Sequence, residues 1–179
     1  MQIFTFSDGK DILNGALISA GSQCDVAYTL GTTRNGRVRG VTSLSGTPTS
    51  SIIWPERYFD IGGETSRIDS VEREVWIEGR LTSARAWQWG QAEYELRYAN
   101  GERTAKDLLS ASANNVVASL RSPRSHVFHK NEPAQWSIEI PMLPTQLRFL
   151  LLALLYSEVR RLDVMGAGGG PPETAPGGV

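Results

Sequence analysis

The sequence is poor in the residues that disulfide-stabilised, metal-binding and many catalytic proteins need. Its 179 residues include one cysteine, Cys24, and two histidines, His126 and His129. A single cysteine excludes an intramolecular disulfide, and the first residues lack the basic segment and the continuous apolar run of a secretory signal. These features predict an intracellular, cytoplasmic protein, either free or held peripherally at a membrane.

An excess of basic charge is also missing. Eighteen lysines and arginines face nineteen aspartates and glutamates, so the formal net charge is -1. Domains that bind nucleic acid usually carry a clear basic excess, and we therefore expect no such partner. The longest apolar run is residues 149–156, whereas a helix needs about 20 apolar residues to cross a membrane. The sequence predicts no transmembrane span.

No local motif assigns a reaction to this chain. No serine lies in a Gly-x-Ser-x-Gly turn, and no glycine-rich phosphate loop follows a predicted strand. His126 and His129 are three apart, so on a strand they point to opposite faces and do not share a metal ion. The sequence thus indicates no cofactor and no metal, and it favours a protein that is not an enzyme. The alternative is a hydrolase whose serine, histidine and carboxylate are distant in sequence.

Short runs of β-branched and aromatic residues, separated by Gly, Pro, Asn or Ser, predict a strand-rich domain. The predicted strands are residues 2–6, 16–20, 25–32, 37–44, 51–54, 58–61, 74–78, 84–89, 94–98, 116–120, 126–129 and 135–140. Asn100-Gly101 suits a two-residue type I′ turn. The register that this turn implies places the opposite charges of Glu95 and Lys106 across from each other.

The chain changes character after Pro141 and Pro144. Residues 149–156 are all apolar or aromatic, and at 100° per residue they cover the whole circumference of a helix. We predict a helix over 146–161, inside an element spanning 145–163, with four nearly inaccessible leucines: Leu150, Leu151, Leu154 and Leu155. A glycine- and proline-rich tail, 166–179, follows the single domain of residues 1–165. A lipocalin-like barrel needs an amphipathic helix outside the barrel, and a β-trefoil offers no place for this run.

Five segments also carry a family resemblance. They are Cys24-Asp-Val-Ala-Tyr, Ser51-Ile-Ile-Trp-Pro-Glu-Arg, Trp87-Gln-Trp-Gly, Val127-Phe-His-Lys-Asn-Glu-Pro and Phe149-Leu-Leu-Leu-Ala-Leu-Leu-Tyr-Ser-Glu-Val-Arg-Arg. With the apolar helix, they make the chain resemble the tubby C-terminal-like superfamily, which includes the LURP-one-related proteins and the scramblases, and within it an uncharacterised fungal domain family. The resemblance implies a closed antiparallel β-barrel that encloses the C-terminal helix. Tubby proteins bind phosphoinositides, but their lysine and arginine motif has no match here.

Three arginines surround the first predicted turn. With Asn35-Gly36 as a type I′ turn, Arg34 faces Arg37 across the hairpin, and Arg39 lies on the same face. Like charges directly opposite each other are unfavourable unless an anion or a nearby acid compensates them. The cluster therefore predicts either an anion site or a set of ion pairs with neighbouring carboxylates.

A second basic region spans residues 108–131, which contain no acidic residue but include Arg121, Arg124, Lys130 and both histidines. Either region could receive a phosphate or an anionic headgroup. We predict a non-enzymatic binding or scaffold domain whose partner is an anionic phospholipid or a protein. Its candidate contacts are Arg34, Arg37, Arg39, Arg124 and Lys130.

Overall fold

The computed structural model describes residues 1–8, 11–21, 25–77, 80–109, 115–123 and 132–167. The fold is mainly β, as predicted. Its strands are β1 (Gln2–Phe6), β2 (Gly15–Ser19), β3 (Val26–Asn35), β4 (Val38–Leu44), β5 (Ser50–Ile53), β6 (Tyr58–Ile61), β7 (Glu64–Arg67), β8 (Glu72–Ile77), β9 (Arg80–Trp89), β10 (Ala92–Ala99), β11 (Glu102–Asp107), β12 (Val116–Arg121) and β13 (Gln135–Ile138). Two helices, α1 (Ile68–Val71) and α2 (Pro144–Ala167), complete the described fold. The predicted strand 126–129 lies outside the described residues.

The thirteen strands form one antiparallel sheet that is open, and the predicted closed barrel is wrong. The strand order is β7-β6-β5-β4-β3-β2-β1-β13-β12-β11-β10-β9-β8, so β7 and β8 are the two edges. These edges are consecutive in the chain, but the residues between them form α1 rather than a hairpin turn. Ile68 and Val71 of α1 are buried, and three positions apart they share one face of a helical turn. Between β7 and β8 the structure therefore has a buried apolar pair and no hydrogen-bonded strand ladder.

The helix α2 is buried against the sheet, and its burial was predicted. It contacts β5 and β6 in one half of the strand order and β9, β11 and β12 in the other half. Every side chain from Phe149 to Leu155 is inaccessible, which fits a sequence without a polar face. Pro144 occupies the first position, where its missing N–H removes no helical hydrogen bond. The helix is longer than predicted and ends at Ala167, and the rest of the segment predicted as a tail, residues 168–179, lies outside the described residues.

The hairpin at Asn100-Gly101 forms as predicted. Both residues have positive φ, 54° and 83°, which a type I′ turn requires. Glu95 lies opposite Lys106. The polar strand β7 was not predicted, although the glycine pair before it, Gly62-Gly63, has the same two positive φ values of a type I′ turn, 66° and 85°.

The register predicted for the first hairpin is wrong. The turn is Gly36-Arg37, Asn35 pairs with Val38, and Arg34 faces Arg39 rather than Arg37. The cause is a β-bulge in β4, which lies between the pair Thr32–Thr42 and the pair Arg34–Arg39. The extra residue shortens the remaining loop to two residues. Gly36, with φ of 59°, takes the first position of the turn.

Candidate functional site

The bulge decides where the predicted arginines point. Thr42 faces the interior and is inaccessible, and the extra residue in β4 puts Arg39 on that same inner face. The bulge requires Gly40, because a Cβ there would lie 2.6 Å from the Thr33 side-chain oxygen. That oxygen accepts a hydrogen bond from the backbone N–H of Val41 at 2.8 Å.

Two of the three hairpin arginines are paired with carboxylates. Arg34 Nη2 donates to Asp11 Oδ2 at 3.1 Å. Both terminal nitrogens of Arg39 donate to the carboxylate of Asp163 in α2, at 2.7 and 2.8 Å. Arg37 is exposed in the turn and has no ion pair among the described residues. Of the other candidate contacts, Arg124 and Lys130 lie outside the described residues, as do Cys24 and both histidines.

Arg34 and Arg39 form one wall of a cleft at the C-terminal end of α2, which we call the helix-end cleft. Its volume is about 240 Å³, and it is lined by Asp11, Ile12, Leu13, Arg34, Arg39, Pro123, Val159 and Leu162. The charged side chains come from β3, β4 and the loop before β2. The apolar side chains come from that same loop, from the segment after β12 and from α2. The cleft therefore offers a charged wall and an apolar wall to one ligand.

Asp11 holds the charged wall in place. It accepts hydrogen bonds from the Leu13 backbone N–H at 3.0 Å and from Asn14 Nδ2 at 2.7 Å. Partial burial alone would raise the pKa of Asp11, but these hydrogen bonds and the Arg34 guanidinium outweigh burial and lower it. Asp11 is therefore ionised at neutral pH, and one carboxylate oxygen serves both Asn14 and Arg34.

Arg39 is held by two contacts. Besides its ion pair, its guanidinium lies 5.4 Å from the centroid of the Trp54 ring, and the Trp54 indole N–H donates to Thr42 Oγ1 at 2.8 Å. The hydrogen bonds to Asp163 raise the pKa of Arg39 despite partial burial. Arg39 Nε is buried and has no hydrogen-bond partner among the described residues. The side chain is a permanent, pre-positioned cation with one donor unused.

The apolar wall continues onto the surface of α2. Leu162 lines the cleft and is 42% exposed, and Met165, one turn later on the same face, is 64% exposed. Val164 is exposed as well. These are the only large apolar side chains of α2 that the structure describes as exposed. No helix in the described part of the chain combines the length and the apolar character needed to cross a membrane.

A second polar cleft lies beside α1, where the two sheet edges fail to meet. We call it the seam cleft; its volume is about 250 Å³ and it is lined by Arg57, Asp69, Glu72, Arg73, Glu74, Arg85 and Arg160. These residues come from a turn, from α1, from two strands and from α2. Because the contributing segments are far apart in sequence, no local pattern could have revealed the site.

A buried ionic cluster anchors α2 between the two clefts. Glu158 is 1% exposed and accepts hydrogen bonds from the Ser122 hydroxyl and from two nitrogens of Arg161, at 2.6 and 3.0 Å. Arg103 Nη2 lies 3.7 Å from the same carboxylate. Burial lowers the pKa of Arg103, although Glu158 opposes that effect. The guanidinium of Arg161 also lies 4.3 Å from the Tyr98 ring centroid. This cluster is a structural anchor.

The catalytic alternative has no assembled site among the described residues. No group of three or more His, Cys, Asp or Glu side chains in that part of the chain could hold a metal ion. A Ser-His-carboxylate triad needs a histidine, and both histidines lie outside the described residues, so the triad remains a prediction.

Comparison with known proteins finds no match to this chain among protein-family models, curated proteins or solved structures. The resemblance to the tubby C-terminal-like superfamily therefore remains a prediction. The closed barrel that it implied does not agree with the open sheet order.

Proposed function

We propose that this chain is a non-enzymatic binding domain that attaches to anionic membrane surfaces through the helix-end cleft and the exposed end of α2. The observation that carries the proposal is the junction of a guanidinium wall with an apolar wall in one cleft. An anionic phospholipid has the matching chemistry, because its headgroup accepts hydrogen bonds from guanidinium groups and its acyl chains take up apolar side chains.

The charge balance of the region supports an anionic rather than a neutral surface. The region has three basic side chains, Arg34, Arg37 and Arg39. Two acidic side chains, Asp11 and Asp163, pair with them, so one positive charge is in excess. Arg37 is exposed at the tip of the hairpin. A basic side chain near an anionic bilayer contributes about 1 kcal/mol. The expected electrostatic attraction is therefore weak and sensitive to salt.

Apolar insertion supplies the rest of the expected affinity. Leu162 and Met165 lie on one face at the end of α2, and complete burial of such a side chain contributes about 1.5–3 kcal/mol. A membrane contact of this kind is reversible, since two apolar residues and one net charge are far from the effect of a spanning helix.

Vesicle co-sedimentation at two salt concentrations tests the proposal. We expect binding to vesicles of phosphatidylcholine with phosphatidylserine and none to phosphatidylcholine alone, with a loss at high salt because exposed charges are screened over about 8–10 Å. The double variant Arg34→Gln/Arg37→Gln should lose binding and keep its fold, since both side chains are exposed. Leu162→Ser should also weaken binding.

Arg97→Gln is the matched control. Arg97 is a half-exposed arginine on β10 that pairs with Glu95, and β10 is six positions from β3 in the sheet order. Arg97→Gln removes one positive charge, as each of the two hairpin substitutions does, but it should bind like the wild type. Absence of wild-type binding at low salt would reject the membrane proposal and leave a protein partner as the candidate.

A further inference from the structure

Four guanidinium groups line the seam cleft beside the two sheet edges, and three of them come from segments far apart in the sequence. Arg57 lies in the turn before β6, Arg85 on β9, and Arg160 on α2. Guanidinium groups present a fork of N–H donors that matches the oxygens of a phosphoryl or sulfate group. A polar hollow lined by several such groups is a suitable place for an oxyanion.

Arg57 is held in a conformation that arginine rarely adopts. Its φ is 59°, in the left-handed region, where residues other than glycine are disfavoured. The guanidinium lines the cleft, where Nε donates to Tyr156 Oη at 3.2 Å and Nη2 lies 2.8 Å from Asp69. Strained residues concentrate at binding sites, because there the side chain is worth the conformational cost.

Glu72 is the most buried of the three carboxylates that line the cleft, and its ion pairs are long. Its side chain is 15% exposed, and the closest approaches of Arg160 and Arg85 are 3.4 and 3.8 Å. Charge-assisted hydrogen bonds are normally about 2.7–2.9 Å. Glu72 thus neutralises the two guanidinium groups without engaging them closely, and an anion with shorter contacts could replace it.

The cleft has more cations than anions. Five arginines surround it or pair with its carboxylates: Arg57, Arg67, Arg73, Arg85 and Arg160. The acids of these pairs are Asp69, Glu72, Glu74 and Glu93, which leaves one positive charge in excess. We propose that the seam cleft binds one phosphoryl or sulfate group, through Arg57, Arg85 and Arg160, with Glu72 as the carboxylate that the ligand displaces. This site is separate from the helix-end cleft and does not depend on membrane binding.

Glu72 makes the binding dependent on pH. Burial raises the pKa of Glu72, although Arg160, Arg85 and Arg57 oppose the effect and Asp69 adds to it. The group therefore gains a proton at a higher pH than an exposed glutamate does. Protonation removes the charge that competes with the ligand, so affinity for an anion should rise as pH falls through the pKa of Glu72.

Isothermal titration of the full chain with inorganic sulfate, at constant ionic strength, tests the site. Sulfate remains ionised from neutral to mildly acidic pH, so any pH dependence belongs to the protein. We expect the wild type to bind more tightly at the acidic pH. Glu72→Gln should bind roughly tenfold more tightly than the wild type at neutral pH and should lose the pH dependence, since a nearby like charge has been removed.

Arg160→Gln should weaken sulfate binding roughly tenfold, whereas Arg97→Gln, the matched control, should leave it unchanged. Because Glu72→Gln is expected to gain affinity, misfolding cannot imitate the result. The proposal is overturned if neither the wild type nor Glu72→Gln binds sulfate, or if Arg160→Gln binds as tightly as the wild type.

The source of the phosphoryl group is decided by competition. Glycerol phosphate that displaces sulfate identifies a soluble phosphate ester as the ligand class. Displacement by vesicles of phosphatidic acid, but not by glycerol phosphate, identifies a lipid headgroup. Sulfate binding that persists in the Arg34→Gln/Arg37→Gln variant keeps the seam cleft distinct from the proposed membrane surface, whatever the outcome there.

Discussion

The middle and the C-terminal end of α2 lie on one continuous helix but have opposite surroundings. Side chains from Phe149 to Leu155 are inaccessible and belong to the hydrophobic core. From Glu158 onward, charged side chains contact separate strands: Glu158 reaches β11, Arg160 reaches β8, and Asp163 reaches β4. Stability therefore depends on the middle of the helix, while its end positions the charged groups of both clefts.

One substitution made in both regions should give the sharpest contrast. Leu154→Asp places an unpaired charge in an apolar interior, at a cost well above the 5–15 kcal/mol stability of an ordinary domain once repacking is included. Leu162→Asp changes a 42% exposed side chain and should cost about 1 kcal/mol or less. Circular dichroism with urea unfolding will distinguish an unfolded chain from a folded one. A cooperatively folded Leu154→Asp protein would contradict the central role of α2.

Glu158 lies at the boundary of the two regions and should give the next largest effect. Glu158→Ala removes the carboxylate from Arg103, whose side chain is 10% exposed, and an uncompensated buried charge costs about 3–5 kcal/mol. Glu56→Ala removes an exposed glutamate and should lie within about 0.5 kcal/mol of the wild type. If both variants have the same urea midpoint, the ionic cluster does not anchor α2.

Arg57 should separate ligand binding from stability. Arg57→Gly relieves the left-handed strain, worth about 1–2 kcal/mol, while it loses the contacts with Asp69 and Tyr156 and gains flexibility in the unfolded chain. The free energy of unfolding should therefore change by no more than about 1 kcal/mol, whereas sulfate affinity should fall. Arg57→Ala keeps the strain and loses the contacts, so thermal unfolding should find it the less stable of the two.

The smallest effect is expected beyond the end of α2. Deletion of residues 168–179 removes a segment composed mainly of glycine, proline and small residues, which has little apolar surface to bury. The free energy of unfolding should remain within about 0.5 kcal/mol of the full chain. A loss above about 1 kcal/mol in urea titration would mean that this segment packs against the domain.

The parts of the fold that could be predicted are those specified by neighbouring residues. Asn100-Gly101 sets its own turn geometry, and the run from Phe149 to Tyr156 has no polar side, so both were predicted correctly. The first hairpin failed because its register depends on a bulge in β4 that a turn dipeptide does not reveal. The prediction of a closed barrel was wrong because the strand pattern does not show that β7 and β8 are joined by α1 and left unpaired as the two edges of the sheet.

The candidate sites were less predictable than the fold. Arg34 and Arg39 were predicted to lie on one face of the hairpin, but their partners, Asp11 and Asp163, lie 23 and 124 positions away in the chain. The seam cleft is assembled from residues between 57 and 160. The triplet Glu72-Arg73-Glu74 gives no local sign that the Glu72 side chain is only 15% exposed, because the arginines beside it, Arg85 and Arg160, belong to β9 and α2.

The sheet order has a consequence for the synthesis of the protein. Every neighbouring pair in the described sheet is consecutive in the chain except β1 and β13, which join Gln2 to Ile138. Strand β1 must therefore wait for β13 to be synthesised before it can pair with it, and α2 follows β13 in the chain. Nascent chains stalled before Pro144 should be sensitive to protease, and chains that have exposed α2 should be resistant, because the strands have no apolar helix to pack against until α2 has emerged.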